Sequence, residues 1–143
     1  YQIRPEWVKK LGIDSATIYN LVHWSSPKGN PDYAAWAQKA AERFDGQRGT
    51  GYPMYFAHAS VGWDQNPRYP SSVTTETVVA STPAKFEAAC RRAKDWMDKN
   101  QQPGQPKLIT VNSWNEWTEG SYLEPDTKWG FGYLEAVKKV FVD

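Results

Sequence analysis

The sequence predicts an α/β fold in which parallel strands run inside and helices lie outside. Three observations predict it. A short β-branched or aromatic run, a polar loop and an amphipathic helix follow one another three times along the chain. These repeats come at about the spacing of (β/α)8 barrel units, so the chain reads as about three βα units of such a barrel. At 143 residues it is well short of the roughly 250 that a complete eight-unit barrel uses. A doubly wound sheet fits the same order of elements. Three parallel units leave an unpaired edge, so the expectation is a single-domain piece, 1–143, completed by a preceding barrel portion or by another chain.

The elements follow in order. Glu6 to Gly12 (EWVKKLG) reads as the end of a helix, with Lys9 and Lys10 at its negative pole and Gly12 at a left-handed stop. Ala16 to Val22 (ATIYNLV) is rich in β-branched and aromatic residues and is the first predicted strand, followed by His23, Trp24 and a Ser/Pro/Gly loop. Asn30 is the predicted cap of a helix with Pro31 at its first position. Tyr33, Trp36, Ala37, Ala40, Ala41 and Phe44 then recur at three- and four-residue spacing as its apolar stripe. Pro53 to Ala57 is the second strand, and His58 to Pro70 (HASVGWDQNPRYP) is a loop punctuated by Gly and Pro.

Thr82 and Pro83 open the clearest helix, in which Phe86, Ala89, Cys90, Ala93, Trp96 and Met97 share one face. Pro103 and Gly104 close that segment. Leu108 to Val111 is the third strand, and Tyr133 to Phe141 is a short amphipathic helix.

Seventeen basic against sixteen acidic residues leave a formal charge of +1, with no run of like charges. Nucleic acid and an anionic membrane surface are therefore poor partners. No apolar run approaches the roughly eighteen residues of a membrane span, and Tyr1 opens no charged-then-apolar leader. Eight tryptophans serve packing or offer flat faces to sugar rings. Cys90 lies on an apolar stripe and reads as a packing residue.

The strands' C-terminal ends present three clusters at one mouth: Asn20, His23 and Trp24; His58, Trp63, Asp64 and Arg68; and Asn112, Trp114, Asn115, Glu116 and Glu119. Cleavage of a glycosidic bond needs one carboxyl group to protonate the leaving oxygen and a second group as base or nucleophile. Glu116 and Glu119, three residues apart just past a strand, meet that need. Neighbouring amide and indole groups add hydrogen bonds and a stacking face. The competing reading is structural: glutamates after strands are often solvated or ion-paired, Trp114 and Trp117 fit a core, Asp64 fits an ion pair with Arg68, and His23 and His58 fit hydrogen-bonded rim positions. No His/Glu spacing matches a zinc site, and no GxGxxG, phosphate loop or GxSxG occurs, so no metal or cofactor is expected.

The segment VNSWNEWTEGSYLEPD, followed by GFGYLEA, resembles the glycoside hydrolase family 99-like group, which includes bacterial proteins labelled WbsX-like glycosyltransferases. In that group an N-E-W-x-E-G-x-x-x-E-P motif follows a late barrel strand; here it is Asn115, Glu116, Trp117, Thr118, Glu119 and Gly120, then Glu124 and Pro125. A second shared feature is GWDQNPR, Gly62 to Arg68, similar to the G-W-D-x-x-P-R loop of the WbsX-like members. The resemblance covers roughly the last two-thirds of the chain.

It implies a retaining glycosidase on a (β/α)8 barrel, in an extracytoplasmic or secreted setting, with a carbohydrate partner. Glu116 takes the position of the base acting on the sugar's own 2-hydroxyl, through an epoxide-like intermediate, and Glu119 that of the general acid/base. Trp63, Asp64, Asn115, Trp117, His58 and Trp24 are the expected substrate-binding residues. Family 99 enzymes act on α-mannosides, but this chain carries Thr118 where they carry His and departs from them at Ser121, Tyr122 and Leu123. The WbsX-like members are the nearer match. The alternatives are a glycosyltransferase of surface-polysaccharide assembly and a non-catalytic sugar-binding half-barrel.

Overall fold

The computed structural model describes residues 5–47, 51–69 and 76–143; Tyr1 and Pro70, named above, lie outside them. Helix α1 spans Pro5–Leu11, and Gly12 follows it at φ +64°, the left-handed stop that the sequence predicts. Strand β1 is Ser15–Ala16, helix α2 Tyr33–Ala41, β2 Met54–Tyr55, β3 His58–Ser60, α3 Pro83–Asn100, β4 Thr110–Asn112, β5 Asn115–Glu116, β6 Ser121–Tyr122 and α4 Gly132–Phe141.

Two parallel pairings and one antiparallel pairing organise these strands. β1 pairs with β2 (Ala16 opposite Tyr55), β3 pairs with β4 (Ala59 opposite Val111), and β5 pairs antiparallel with β6 (Glu116 opposite Ser121). Segment 54–60 thus stands between the first and third strand segments. Phe56 N–H donates to the Ala16 carbonyl at 2.9 Å, and Thr110 N–H donates to the Ala57 carbonyl at 3.2 Å. The architecture is a mixture of helices and three two-stranded sheets, which do not close on themselves among the described residues.

Helices α2, α3 and α4 form the outer layer, α3 packing against both of the others. Tyr33, Trp36, Ala37 and Ala40 of α2 and Phe86, Ala89, Cys90, Ala93 and Met97 of α3 are buried, as the apolar stripes predict. Two polar tips dock α2: the Tyr33 hydroxyl donates to the Ser60 carbonyl at 2.6 Å, and the Trp36 indole N–H donates to the Ser25 carbonyl at 2.8 Å. Burial pushes the Cys90 thiol up to about 12, which suits a packing residue. Among the described residues no helix is long and apolar enough to cross a membrane.

Helix α3 begins where Thr82 and Pro83 place it, the Thr82 hydroxyl accepting from Lys85 N–H at 3.3 Å. Thr82→Ala is expected to destabilise the fold by about 1 kcal/mol, read as a lower denaturation midpoint at unchanged slope.

Elsewhere the boundaries move. The predicted first strand, 16–22, pairs regularly only at its start, because side chains take over the ladder. Asn20 turns its amide inward and caps a 3-10 turn at Leu21–His23, while Leu21 N–H donates to the Ser60 hydroxyl at 3.0 Å. Helix α2 is capped by Asp32 and not by Asn30: Asp32 accepts from Ala34 N–H, whereas Asn30 adopts φ +51° and its side chain accepts from Thr77 N–H. The second strand continues through His58–Ser60, which the sequence places in a loop. The third strand lies two residues later than predicted at its start, leaving Leu108 exposed. The β5–β6 hairpin had no sequence-level expectation.

Candidate active site

Strand β4 delivers the chain to a tight turn at the end where β1 and β3 also finish. The inward amides of Asn20 and Asn112 meet there, Asn20 Nδ2 donating to Asn112 Oδ1 at 2.7 Å, and both residues are buried. A Ser121 hydroxyl ties the next layer, donating to the Asn112 carbonyl at 2.9 Å and accepting from Gly62 N–H at 3.3 Å. Such fully partnered polar groups specify one arrangement, since an orphaned member would leave a buried polar atom unsatisfied.

On this floor stand the two loops that carry the sequence motifs. Ser113 Oγ donates to the Ser121 carbonyl at 2.7 Å and accepts from Glu116 N–H at 3.1 Å, closing the β5–β6 hairpin around a 3-10 turn, Trp117–Glu119. Gly120 ends that turn at φ +59°, a conformation that disfavours a side chain. The loop 62–68 lies directly against it. Asp64 N–H donates to the Glu119 carbonyl at 2.6 Å. A Cβ on Gly120 would stand 2.8 Å from Asp64 Cβ, and one on Gly62 would stand 2.6 Å from the Gly120 carbonyl oxygen.

This packing places Glu116 and Glu119 with Arg68 between them. Arg68 Nη2 lies 3.1 Å from Glu119 Oε1 and 3.6 Å from Glu116 Oε2, and it donates to Thr118 Oγ1 at 3.0 Å. Glu119 is only 6% exposed, and its other oxygen, Oε2, accepts from the Tyr19 hydroxyl at 3.4 Å. The Glu116 side chain is 38% exposed. Partial burial, then the Glu119 and Glu116 carboxylates, hold the Tyr19 phenol above its ordinary value, so it stays a hydrogen-bond donor. Two carboxyl groups with one guanidinium and one phenol donor between them are an arrangement able to hold or move protons at a polar substrate.

The other expected residues divide. Trp117 is 41% exposed, with one ring face stacked on Tyr122 (centroids 3.7 Å apart, planes at 16°) and its indole N–H donating to Glu124 Oε2 at 2.5 Å. It is a flat face fixed on one side and open on the other. Asn115 is exposed beside it on β5. Asp64 does not pair with Arg68: its Oδ1 accepts from Asn66 N–H at 2.9 Å and from Asn66 Nδ2 at 2.8 Å, which shapes the loop. Trp63 packs partly buried against the core.

His58 and Trp24 stand apart from the pair. His58 is 3% exposed within β3, its ring nitrogens held by Thr110 Oγ1 at 2.8 Å and Ser60 Oγ at 3.0 Å, and burial pushes it down to about 3. It is an interior residue and not the rim residue that the sequence suggests. Trp24 stacks on Tyr55 and meets Phe44 edge-on. With Tyr19, His23 and Arg43 it lines a cleft of about 710 Å3, beside the edge of β1 that no other described strand pairs. Tyr19 touches both places, and sequence reasoning passed it over; its one signal was an aromatic immediately before Asn20 at a strand end. Among the described residues no group of three His, Cys, Asp or Glu is placed to hold a metal ion.

Comparison with known proteins adds lineage to this geometry. The chain is 28% identical over 120 residues to the protein described as "Uncharacterized protein WxcX" in two strains of Xanthomonas campestris pv. campestris. The match takes in 77% of this chain and 16% of the length of those relatives. No solved structure matches significantly. The pattern of the family described as "Glycosyltransferase WbsX" matches residues 8–137. That span includes both motif loops, the carboxylate pair and all four helices in whole or part, so the chain belongs to this carbohydrate-active family.

Proposed function

We propose that residues 1–143 are the C-terminal part of a single (β/α)8 glycoside hydrolase domain, and that Glu116 and Glu119 act on the glycosidic bond of a polysaccharide or oligosaccharide. The observation that carries this reading is the pair of carboxylates joined through one Arg68 nitrogen, at the end of three successive parallel strand segments. Ligand sites of parallel α/β barrels gather at that end of the strands. The carboxyl groups of glycosidases stand roughly 5–10 Å apart, and two that share a contacting nitrogen lie within two short contacts of each other.

In this reading Glu119 protonates the leaving oxygen while Glu116 takes the proton of the sugar's 2-hydroxyl, whose oxygen closes on the anomeric carbon. Glu119 then accepts a proton from the water that reopens that ring, and Glu116 returns its proton to the 2-oxygen. The open face of Trp117, with Asn115 and the Asp64 loop, supplies the sugar subsite.

The family's own description favours a second reading, transfer from an activated sugar donor. The two differ in product. Incubating the protein with a panel of α-mannans and bacterial polysaccharides is expected to release reducing sugar. Silence across the panel, with consumption of a nucleotide-sugar in the presence of an acceptor glycan, would favour transfer.

A further inference from the structure

We propose that Arg68 is the positioning residue of the carboxylate pair, a single guanidinium nitrogen acting as the pivot that sets Glu116 and Glu119 relative to each other. The consequence for catalysis rests on the hydrolase reading; the pivot itself does not.

Three contacts, to Glu119 Oε1, Glu116 Oε2 and Thr118 Oγ1, all run through Arg68 Nη2. Two carboxylates this close repel each other, and a cation between them offsets that repulsion while restricting both rotamers. Exposed ion pairs contribute little, but the Glu119 end of this one is buried. The backbone beneath Arg68 is fixed independently of its side chain. Arg68 N–H donates to the Gln65 carbonyl, Asp64 N–H donates to the Glu119 carbonyl, and Gly120 packs on Asp64. Replacing the side chain should therefore remove the pivot and leave the loop in place. Because one nitrogen makes all three of these contacts, the forked shape of the guanidinium is not used among the described residues. A lysine, normally a poor substitute for arginine at a two-pronged carboxylate site, should here recover much of the effect.

The test compares wild type, Arg68→Met, Arg68→Lys and Glu119→Gln, and combines each Arg68 change with Glu119→Gln. Thermal unfolding needs no substrate: Arg68→Met is expected to lower Tm by about 2–4 °C, by markedly less in the Glu119→Gln background, and Arg68→Lys by less than Arg68→Met. On a polysaccharide that the wild type cleaves, Arg68→Met is expected to lower kcat about 10–100-fold with KM within about twofold. Arg68→Lys is expected to fall between Arg68→Met and wild type in kcat. Equal Tm losses in both backgrounds, or Lys no better than Met, would overturn the pivot. An unchanged kcat in Arg68→Met would overturn its positioning role. A Glu119-dependent Tm loss in a protein that cleaves no polysaccharide would retain the pivot and reject the hydrolase reading.

Discussion

Glu119→Gln is expected to lower kcat for polysaccharide cleavage by about 10³-fold while leaving the fold and sugar binding largely intact. The amide keeps the volume of a side chain that is almost wholly buried, and its oxygen can still accept the Tyr19 hydroxyl bond. What it cannot do is give up or take a proton at the leaving group. Glu116→Gln should lower kcat comparably, with a smaller effect on stability, because that side chain is more than a third exposed and sits at the weaker, 3.6 Å end of the Arg68 contact. Reducing-sugar release together with calorimetric binding of the uncleaved polysaccharide separates chemistry from recognition. If both variants keep wild-type rates, the carboxylates are structural and the chemistry lies on other residues; binding of polysaccharide with no cleavage by the wild type would make the chain a binding module.

The second large effect is on stability against pH. Burial pushes His58 from 6.5 down to about 3, and no charged partner opposes it. In the folded state the ring is therefore neutral over the whole interval in which the unfolded chain takes up a proton. The unfolded state binds more protons below pH 6.5, so stability is intact above that value and falls as the pH is lowered towards 3. The slope is about 1.4 kcal/mol per pH unit once the unfolded ring is charged, or roughly 2–3 kcal/mol between pH 6.5 and about pH 4.5. Asp32, Glu87 and Asp98 are held below their ordinary values by lysine and arginine partners. They act in the same direction but at lower pH, so the upper window belongs to His58. Urea unfolding at half-unit pH intervals should show that window flatten in His58→Gln. If the wild type is already flat there, the ring is charged or accessible in the folded protein.

What the sequence disclosed was local. Helix α3 was legible because Thr82, Pro83, the apolar stripe and Pro103 with Gly104 all act within a turn or two of chain. The parallel order was legible from the succession of elements, and the two glutamates from their motif. What stayed hidden depends on distant partners. The ladder of the first strand stops early because Asn20 and Ser60 bring their side chains to bear across forty residues. The hairpin at 115–122 has strands of two residues, too short for any alternation to appear. Arg68 read as a partner for Asp64, four positions away, and goes instead to carboxylates some fifty positions on. Tyr19 reaches Glu119 across a hundred residues, a meeting that only the stacking of strand ends arranges.

The interlocked glycines, Gly62 under the carbonyl of Gly120 and Gly120 against Asp64, make the two motif loops a single mechanical part. Neither can hinge away alone without tearing the Asp64 to Glu119 backbone bond, and neither can accept a methyl group unless the other retreats. On the hydrolase reading, redesign of sugar preference is thereby channelled elsewhere. Asn115, exposed on the hairpin, can be exchanged without disturbing the joint, whereas altering either glycine would misalign the glutamates.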